Sequence, residues 1–273
     1  EELRMEIIKD ELIEIRDRYG DERRTDIIHS AEDFRTEDMI PNEEMLITIS
    51  NSGYVKRTTL AEYRTQGRGG VGSKGAATKN DDFTEHLFVG MTHDYLLIFT
   101  EFGKVFWKKV WELPEGGKTS KGRPIQNMIN IEPGDRVRAV IDVHDLSDPD
   151  YLNNNFLIMC TEKGTIKKTT LEAYSRPRQN GINAITIHEG DRLLEIKLTN
   201  GDNHIIIGKR SGKAIRFHEQ DVRPMGRTAA GGRGVYLEGD DDKVVGMVCV
   251  SREEANLLVV SDKGYGKRSS IAD

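Results

Sequence analysis

Residues 205–216 contain an apolar run, a polar turn that ends in glycine, and a second run long enough to form a strand. Their sequence is I205-I206-I207-G208-K209-R210-S211-G212-K213-A214-I215-R216. Glycine at the end of such a turn can adopt the positive φ that a tight β-hairpin requires. The stretch therefore predicts a β-hairpin with Gly212 in its turn.

The same pattern occurs five times along the chain. The intervals between successive turn glycines are 48 to 61 residues, and the glycines are Gly53, Gly103, Gly164, Gly212 and Gly264. A second element, G134-D135-R136, recurs as G190-D191-R192 and loosely as D241-D242-K243. Repeats of about 50 residues, each with about four short strands, are typical of propeller blades. We therefore predict an all-β, propeller-like fold over residues 36–273, with about four and a half to five four-stranded blades present.

Residues 1–35 predict an α-helix followed by a linker. Ile8, Leu12, Ile15 and Tyr19 recur at helical spacing, and Gly20 stands where a helix would end. An apolar stripe on a helix needs a surface to cover. The segment is consistent with the end of a preceding domain and also with an adhesive surface for a partner.

The composition excludes several classes of protein. No apolar run is long enough to span a membrane, and the N-terminus is acidic, unlike a signal peptide. Cys160 and Cys249 lack metal-ligand spacing and are interpreted as reduced core thiols of a cytosolic protein. The seven histidines form no metal or catalytic motif, so we predict no catalytic residue and no metal site. We interpret His93-Asp94 as a turn and Asp240-Asp241-Asp242 as solvated surface.

Positive charge follows the repeat, although the whole chain has a formal net charge of −6. The stretches that begin at or beside each turn glycine (53–75, 103–124, 163–178, 209–233 and 263–268) each have a net charge of +3 to +5, and those between them are negative. Equivalent positions of a cyclic array lie on equivalent faces, so we predict a cationic rim that binds duplex DNA. Its predicted members are Lys56, Arg57, Lys108, Lys109, Lys121, Arg123, Lys167, Lys168, Arg176, Arg178, Arg216, Arg227, Arg233, Lys267 and Arg268.

The glycine-rich stretch Q66-G67-R68-G69-G70-V71-G72-S73-K74-G75 contains a G-x-G-x-x-G pattern. A dinucleotide-binding loop would need a buried strand before it and a helix after it. Residues 60–65 are too polar for such a strand, and residues 76–82 lack helical periodicity. A flexible, positively charged surface loop fits the sequence better.

At these residues the chain resembles the C-terminal domains of DNA gyrase A subunits. The family has a glycine-rich basic box in the first blade, and residues 66–72 occupy its place, with Gly67 and Val71 where the family has basic residues. Other matching stretches are P41-N42-E43-E44, V89-G90-M91-T92-H93-D94, K121-G122-R123-P124-I125 and G264-Y265-G266-K267-R268. The resemblance runs from about Thr25 to the end, and residues 16–25 look like the last helix of the family's DNA-cleaving domain.

The resemblance implies a β-pinwheel, in which neighbouring blades exchange a strand and DNA wraps around the basic rim. It implies that the box loop contacts DNA, through Gln66, Arg68, Gly69, Gly70, Gly72 and Lys74. It further implies a bacterial, cytoplasmic and nucleoid-associated enzyme in which two gyrase A and two gyrase B subunits assemble. The cleaving tyrosine, ATP and Mg²⁺ would then act outside this chain, which would need no cofactor of its own.

Two other functions remain possible at this point. The equivalent domain of topoisomerase IV would explain the repeats and the rim, but it normally lacks the box. A protein-binding propeller would explain the repeats alone and should expose an apolar patch, for which Trp107 and Trp111 are the candidates.

Overall fold

The computed structural model describes residues 2–22, 24–25, 36–63, 68–70, 82–252 and 254–271, and the chain divides into two compact units, 1–39 and 40–273. In the first unit, helix α1 (Glu2–Tyr19) confirms the predicted N-terminal helix. Gly20 donates its backbone N–H to Arg16 O at 2.7 Å, and a side chain on Gly20 would overlap that carbonyl. No helix of the described ranges is long and apolar enough to cross a membrane.

The second unit is built from short strands that pair in antiparallel fashion. Their order is β1 (Glu44–Ser50), β2 (Tyr54–Thr59), β3 (Thr84–Met91), β4 (Tyr95–Thr100), β5 (Lys104–Lys109), β6 (Arg123–Pro124), β7 (Val137–Val143), β8 (Phe156–Thr161), β9 (Thr165–Thr170), β10 (Ile182–Asn183), β11 (Leu193–Thr199), β12 (His204–Lys209), β13 (Ala214–His218), β14 (Gly232–Arg233), β15 (Val244–Val250), β16 (Asn256–Val260) and β17 (Gly266–Ser270). One short helix, α2 (Pro149–Asn154), lies between β7 and β8. Short 3-10 turns follow four of the hairpins, at Leu60–Glu62, Val110–Glu112, Leu171–Tyr174 and Glu219–Asp221.

The five predicted hairpins are confirmed. They are β1–β2, β4–β5, β8–β9, β12–β13 and β16–β17, and each pairs in antiparallel register. All five turn glycines have φ between 81° and 85°. Each also donates its backbone N–H across the turn, as Gly212 does to Lys209 O at 3.0 Å. Residues with a side chain rarely adopt this φ, which explains why glycine marks every turn.

Neighbouring sheets exchange a strand, as the resemblance implied. The sheet orders are β3-β1-β2-β6, β10-β5-β4-β7, β11-β8-β9-β14, β13-β12-β15 and β16-β17, which we call blades 1 to 5. The short strands β6, β10 and β14 follow the hairpin of one blade but pair with the second hairpin strand of the blade before it. Each exchange therefore ties two successive repeats together through backbone hydrogen bonds.

Aspartates at a repeated position hold each outer strand to the hairpin turn of its own blade. Asp191 accepts the backbone N–H of Lys163 in the turn at 3.0 Å and that of Arg192 at 2.8 Å. The same pair of contacts, to a turn residue and to the following residue, is made by Asp82, Asp135 and Asp242. The recurrence of Gly-Asp-Arg in the sequence therefore reflects a repeated hydrogen-bonding role of the aspartate.

The core lies between the blades, so most strands of the inner blades are covered on both faces. Leu96 and Ile98 pack into the cluster shared with blade 1, whereas Leu97 and Phe99 pack into the cluster shared with blade 3. A third cluster joins blades 3 and 4 and contains Cys160, with Cys249 packed against it. Both cysteines are free thiols, as predicted, and burial raises the pKa of each to about 12. Burial on both faces explains why first hairpin strands such as β4 and β8 are nearly continuous apolar runs without polar alternation.

The interpretation of Asp240-Asp241-Asp242 as solvated surface is wrong for Asp242. Asp240 and Asp241 are exposed, but Asp242 is buried and accepts backbone N–H groups from Glu238, Ser211 and Lys243 at 3.0 to 3.1 Å. The bond from Glu238, and after it the bond from Ser211 and the ammonium group of Lys209, lower the pKa of Asp242 to about 2. The sequence shows three identical residues, and the fold distinguishes them.

We expect Asp242→Asn to lower the melting temperature, because the amide replaces a charged acceptor of three backbone bonds. The folded-state pKa is depressed, so this stabilisation is present above the ordinary aspartate value and is lost as the pH falls towards about 2. Thermal unfolding across the acid range should therefore show parent and variant converging at low pH. The exposed Asp241→Asn is the matched control and should unfold like the parent. Equal effects of the two substitutions would contradict the assignment.

Candidate nucleic-acid interface

The predicted rim divides into two groups of cations with different surroundings. The first group lies on the second strand of each hairpin. Its members stand three or four residues after the turn glycine in blades 1, 3, 4 and 5, but five and six residues after it in blade 2, at Lys108 and Lys109. Lys56 and Lys167 occupy the third position and are buried, with exposures of 2% and 0%. The expectation that they lie on an exposed rim is therefore wrong, because side chains that are buried in this way do not reach a phosphate.

Each buried lysine donates at least one hydrogen bond to the next repeat. Lys56 Nζ donates to the carbonyl oxygens of Gly117 and Lys118 at 2.8 and 3.2 Å. Lys167 Nζ donates to Ala184 O at 2.7 Å and also to Arg227 O. Backbone carbonyls of a turning loop need donors when they are buried, and a lysine can supply up to three.

The fourth position after the glycine has a related role in four blades. Arg57 Nε donates to Leu113 O at 2.9 Å, and Trp107 Nε1 donates to Tyr174 O at 2.9 Å. Lys168 Nζ donates to Glu219 O at 3.3 Å, and Arg216 donates to Ile271 O. Each acceptor belongs to the following repeat. The residue type varies among Arg, Trp and Lys, while the donation to a carbonyl of the next repeat is retained.

Lys168 is also buried, which corrects its assignment to the rim. Its exposure is 4%, and its Nζ lies 3.0 Å from Glu219 Oε2. Glu219 replaces the apolar residue that begins the corresponding 3-10 turn in three other blades, and it is fully buried. Burial alone would raise the pKa of Glu219, but hydrogen bonds from Asn203, Thr199 and Lys168 together lower it.

The other hairpin cations differ in their partners. Arg57 Nη2 lies 3.1 Å from Glu115 Oε2, and Lys108 Nζ lies 3.2 Å from Glu112 Oε1. Lys109 donates to His93 O at 2.7 Å and lies 3.8 Å from the centroid of the Tyr95 ring. In blade 5, Lys267 and Arg268 are exposed.

The second group of cations lies on loops that contain the exchanged strands. We call residues 113–124, 175–183 and 222–234 the exchange loops. Seven of their cations make no ion pair within 4.0 Å with a carboxylate among the described residues, and six of the seven are exposed while Arg227 is half-buried. They are Lys121, Arg123, Arg176, Arg178, Arg223, Arg227 and Arg233. The remaining cation, Lys118, is half-buried and lies 4.7 Å from the centroid of the Tyr63 ring.

Arg223 is an exchange-loop cation that the sequence analysis missed. An Arg-Pro dipeptide occurs at Arg176-Pro177 and again at Arg223-Pro224, and this repetition is the signal that could have identified it. The two loops 175–183 and 222–234 together contain five arginines and no acidic residue. Arg233 stacks 4.0 Å from the centroid of the exposed Tyr236 ring, which holds its guanidinium at the surface.

The acidic residues are paired elsewhere in the blades. Glu101 lies in the turn of blade 2. Its Oε1 is 3.4 Å from Arg136 Nη2, and its Oε2 is 3.5 Å from Arg192 Nη1. Glu162, at the corresponding place in blade 3, lies 3.6 Å from Lys243. Positive charge without a nearby carboxylate is thereby concentrated on the exchange loops, where it can attract an anionic partner.

Glycines allow the exchange loops to approach the preceding blade. Gly122, Gly181 and Gly231 have φ of 79°, 68° and 103°. A side chain at any of them would collide with the backbone of the hairpin strand that the loop pairs with in the preceding blade. Gly69, in the predicted box, has a similar φ of 80° but meets nothing within 4 Å. Arg68 and Gly70 beside it are exposed. Gln66, Gly72 and Lys74 lie outside the described residues.

Comparison with known proteins places these features in a family. The family described as "DNA gyrase C-terminal domain, beta-propeller" matches residues 44–90, 94–144, 155–200, 210–251 and 255–273. The DNA gyrase A protein of Salmonella typhimurium strain LT2 is 42% identical over 266 residues, which cover 97% of this chain and 30% of that protein. The chain thus spans less than a third of the length of this relative.

Two solved structures are also similar. The C-terminal domain of a DNA topoisomerase IV aligns with a TM-score of 0.69 and 27% identity, covering 86% of this chain and 69% of that one. A DNA gyrase A C-terminal domain aligns with a TM-score of 0.65 and 26% identity, covering 83% and 71%. Both similarities agree with a propeller-like array of strand-exchanged blades.

We expect Lys167→Met to destabilise the domain by about 1–3 kcal/mol, because Arg227 O loses a buried donor. Burial, and secondarily Arg227, lowers the pKa of Lys167 to about 8. Between about pH 8 and pH 10.5 the unfolded chain therefore binds more protons than the folded domain does. The free energy of unfolding of the parent should rise relative to that of the variant as the pH increases through that window.

Urea denaturation at several pH values measures both effects. The exposed Lys163→Met, on the same hairpin, is the control and should change stability little. If Lys167→Met kept full stability but weakened binding to duplex DNA, the buried structural role would be refuted.

Proposed function

Since this chain belongs to the family of DNA gyrase C-terminal domains, we propose that its blades bind, bend and wrap duplex DNA along the exchange loops. One observation supports this proposal most strongly. The exchange-loop cations recur in successive blades without a nearby carboxylate, whereas acids such as Glu101 and Glu162 pair with cations elsewhere.

A repeated cationic surface can offset the cost of bending a stiff duplex. Bending 20–30 base pairs by 40–90° costs on the order of 1–6 kcal/mol. Each cation that neutralises a phosphate releases counterions, and an arginine can bind a phosphate through two hydrogen bonds. Phosphate contacts position the duplex but do not read bases, so binding is expected to be independent of sequence.

The box loop would anchor one part of the wrapped path. Arg68 can pair with a phosphate, and Gln66 can donate a hydrogen bond without adding charge. Gly69, Gly70 and Gly72 would let backbone N–H groups approach the duplex where a side chain would collide. Lys74 adds one positive charge, while Gly67 and Val71 leave the loop less charged than the family's box.

In the whole enzyme this domain would present DNA for strand passage and enable negative supercoiling. The chain would then be part of a gyrase A protein that forms an A2B2 heterotetramer with gyrase B in the bacterial cytoplasm, associated with the nucleoid. DNA cleavage, ATP hydrolysis and Mg²⁺ binding would take place outside this chain, and the domain would need no cofactor.

The topoisomerase IV alternative is supported by the structural similarity to the C-terminal domain of such an enzyme. The two functions differ in the product of the complete enzyme, since the proposed gyrase role requires negative supercoils. A protein-binding propeller has less support. Trp107, one of its two candidate patch residues, is 7% exposed and donates to a carbonyl of the next blade, so it is a core residue.

The triple variant Arg176→Gln, Arg178→Gln and Arg223→Gln should weaken binding to every duplex sequence. The slope of log K against log salt should decrease by about 0.9 for each phosphate contact that is lost. Stability should change little, because these side chains are exposed. Binding measured by fluorescence anisotropy at several salt concentrations, together with ligation of DNA minicircles to detect wrapping, tests both parts of the proposal.

A matched control removes the same amount of charge from paired lysines. Lys104, Lys108 and Lys213 form ion pairs with Glu132, Glu112 and Glu238, so their triple Gln variant should retain most of the salt slope. If the two triple variants lost the same slope, net charge alone would explain binding. If the arginine variant still wrapped minicircles as the parent does, the exchange loops would not form the path.

A further inference from the structure

A buried ion pair joins blades 3 and 4. Lys168 Nζ, on β9, lies 3.0 Å from Glu219 Oε2, and both side chains are buried. Glu219 begins the 3-10 turn that follows the blade 4 hairpin. The corresponding turns after the first three hairpins begin with the apolar residues Leu60, Val110 and Leu171. A turn of this kind can therefore form without a buried carboxylate.

The carboxylate of Glu219 gathers segments of both blades. Its Oε1 accepts the backbone N–H and the side-chain amide of Asn203, each at 2.8 Å, and its Oε2 accepts the hydroxyl of Thr199 at 2.8 Å. Thr199 ends β11 of blade 3, and Asn203 directly precedes β12 of blade 4. The Glu219 backbone N–H donates back to Asn203 O at 2.8 Å. Both carboxylate oxygens thus have donors, which fix the position of the buried group.

Lys168 connects this carboxylate to the exchange loop 222–234. Its Nζ donates to Glu219 O at 3.3 Å and lies 4.3 Å from the centroid of the Phe156 ring. Its backbone forms a parallel β-bridge with Pro224 and accepts the N–H of Met225 at 2.8 Å. The side chain of Lys168 therefore holds the turn that precedes the loop, while its backbone holds the first residues of the loop.

Arg223 lies between these two points of attachment. On one side of it, the Val222 N–H donates to Glu219 O at 3.1 Å, and on the other side the Met225 N–H donates to Lys168 O at 2.8 Å. The Arg223 side chain itself is exposed. Because the backbone is held on both sides, the guanidinium extends into solvent from a fixed base.

A buried ion pair contributes geometry more than stability. Taking two charges out of water offsets much of their attraction, so apolar side chains of similar size often stabilise a fold equally well. Hydrogen bonds, however, require defined distances and angles, whereas apolar contacts are not directional. A charged pair at a position where other repeats have an apolar residue therefore points to a demand on the exact placement of the loop.

We propose that Lys168 and Glu219 form a positioning pair, an inference that rests on the proposed function. The pair fixes the start of the exchange loop 222–234 on blade 3 and thereby sets where Arg223 meets a phosphate of the duplex. Neither member touches DNA, because both are buried. Loss of the pair should remove the phosphate contact of Arg223 and leave the other exchange loops unchanged.

A double substitution removes both charges and keeps the other hydrogen bonds. In Lys168→Met with Glu219→Gln, which we call the pair variant, the amide oxygen can accept from Asn203 and the amide nitrogen can donate to Thr199. No buried charge is left without a partner at this site. We therefore expect blades 3 and 4 to stay folded and the melting temperature to change little.

Hydrogen exchange in the absence of DNA measures the anchoring. The Met225 amide should be protected in the parent and should exchange about tenfold faster in the pair variant, because charge-assisted hydrogen bonds no longer hold the turn before the loop. Amides of β8 serve as the internal reference for the folded core. Lys213→Met with Glu238→Gln removes an exposed ion pair and is the matched control, which should leave the Met225 rate unchanged. An unprotected Met225 amide in the parent, or equal rates in the parent and the pair variant, would overturn the proposal.

The salt dependence of DNA binding tests the connection to Arg223. Arg223→Gln should lower the slope of log K against log salt by about 0.9, the value for one phosphate contact. The pair variant should lose a similar amount, and Arg223→Gln added to it should cause no further loss, because that contact is already gone. Arg123→Gln, on a different exchange loop, should still lower the slope of the pair variant. A general loss of structure would not produce this selective non-additivity.

Additive losses from the pair variant and Arg223→Gln would overturn the proposal, as would a parent slope in either of them. A parent domain that did not bind duplex DNA would instead refute the proposed function and with it the role of Arg223. The exchange rates of Met225 would in that case still decide whether Lys168 and Glu219 anchor the loop.

Discussion

The second strand of every hairpin exposes a row of backbone groups that need hydrogen-bond partners, and the architecture follows from how they are satisfied. An unpaired strand edge is unfavourable when it is buried and prone to association when it is exposed. In blades 1 to 3 the next repeat supplies a short strand, β6, β10 or β14. Side chains of the same hairpin strand then donate to carbonyls of the incoming loop, as Lys167 does to Arg227 O. Each of these three blades is therefore completed by its successor.

This arrangement gives similar cations two different roles. Lys56, Lys167 and Lys168 lie on the covered strands and donate to backbone carbonyls of the next repeat. The exchange loops are paired through two residues at β6, β10 and β14, and their other residues can face solvent. Exposed arginines such as Arg176 and Arg223 therefore recur once per repeat without disturbing the core. A surface that binds DNA at regular intervals can arise from the same exchange that connects the blades.

Local patterns in the sequence were sufficient to predict the hairpins. A turn glycine has one conformational reason to recur, and all five are found at positive φ. Burial of individual cations was not predicted, because lysine is normally exposed and its partners lie 17 to 60 residues away, as for Lys167. A signal did exist: Phe106 and Ile215 occupy the position of Lys56 and Lys167 in other repeats, and a position that accepts such apolar residues can be covered.

The buried role of Asp242 was hidden for a similar reason. Asp242 differs from Asp241 through contacts with residues 211 and 238. Neither contact has a signature in local spacing. The box loop shows the opposite case, since its motif is clear in the sequence while Gln66, Gly72 and Lys74 lie outside the described residues. Recognition of the family therefore contributes most at the loop for which structural contacts contribute least.

Covalent labelling of lysine and arginine side chains, read by mass spectrometry with and without duplex DNA, tests the central division of the cations most directly. We predict that Lys121, Arg123, Arg176, Arg178 and Arg223 react in the free domain and are protected by the duplex. Lys56, Lys167 and Lys168 should react poorly in both states, because they are buried. Protection of the paired lysines Lys104 and Lys213, with unchanged reactivity of the exchange-loop cations, would contradict the account.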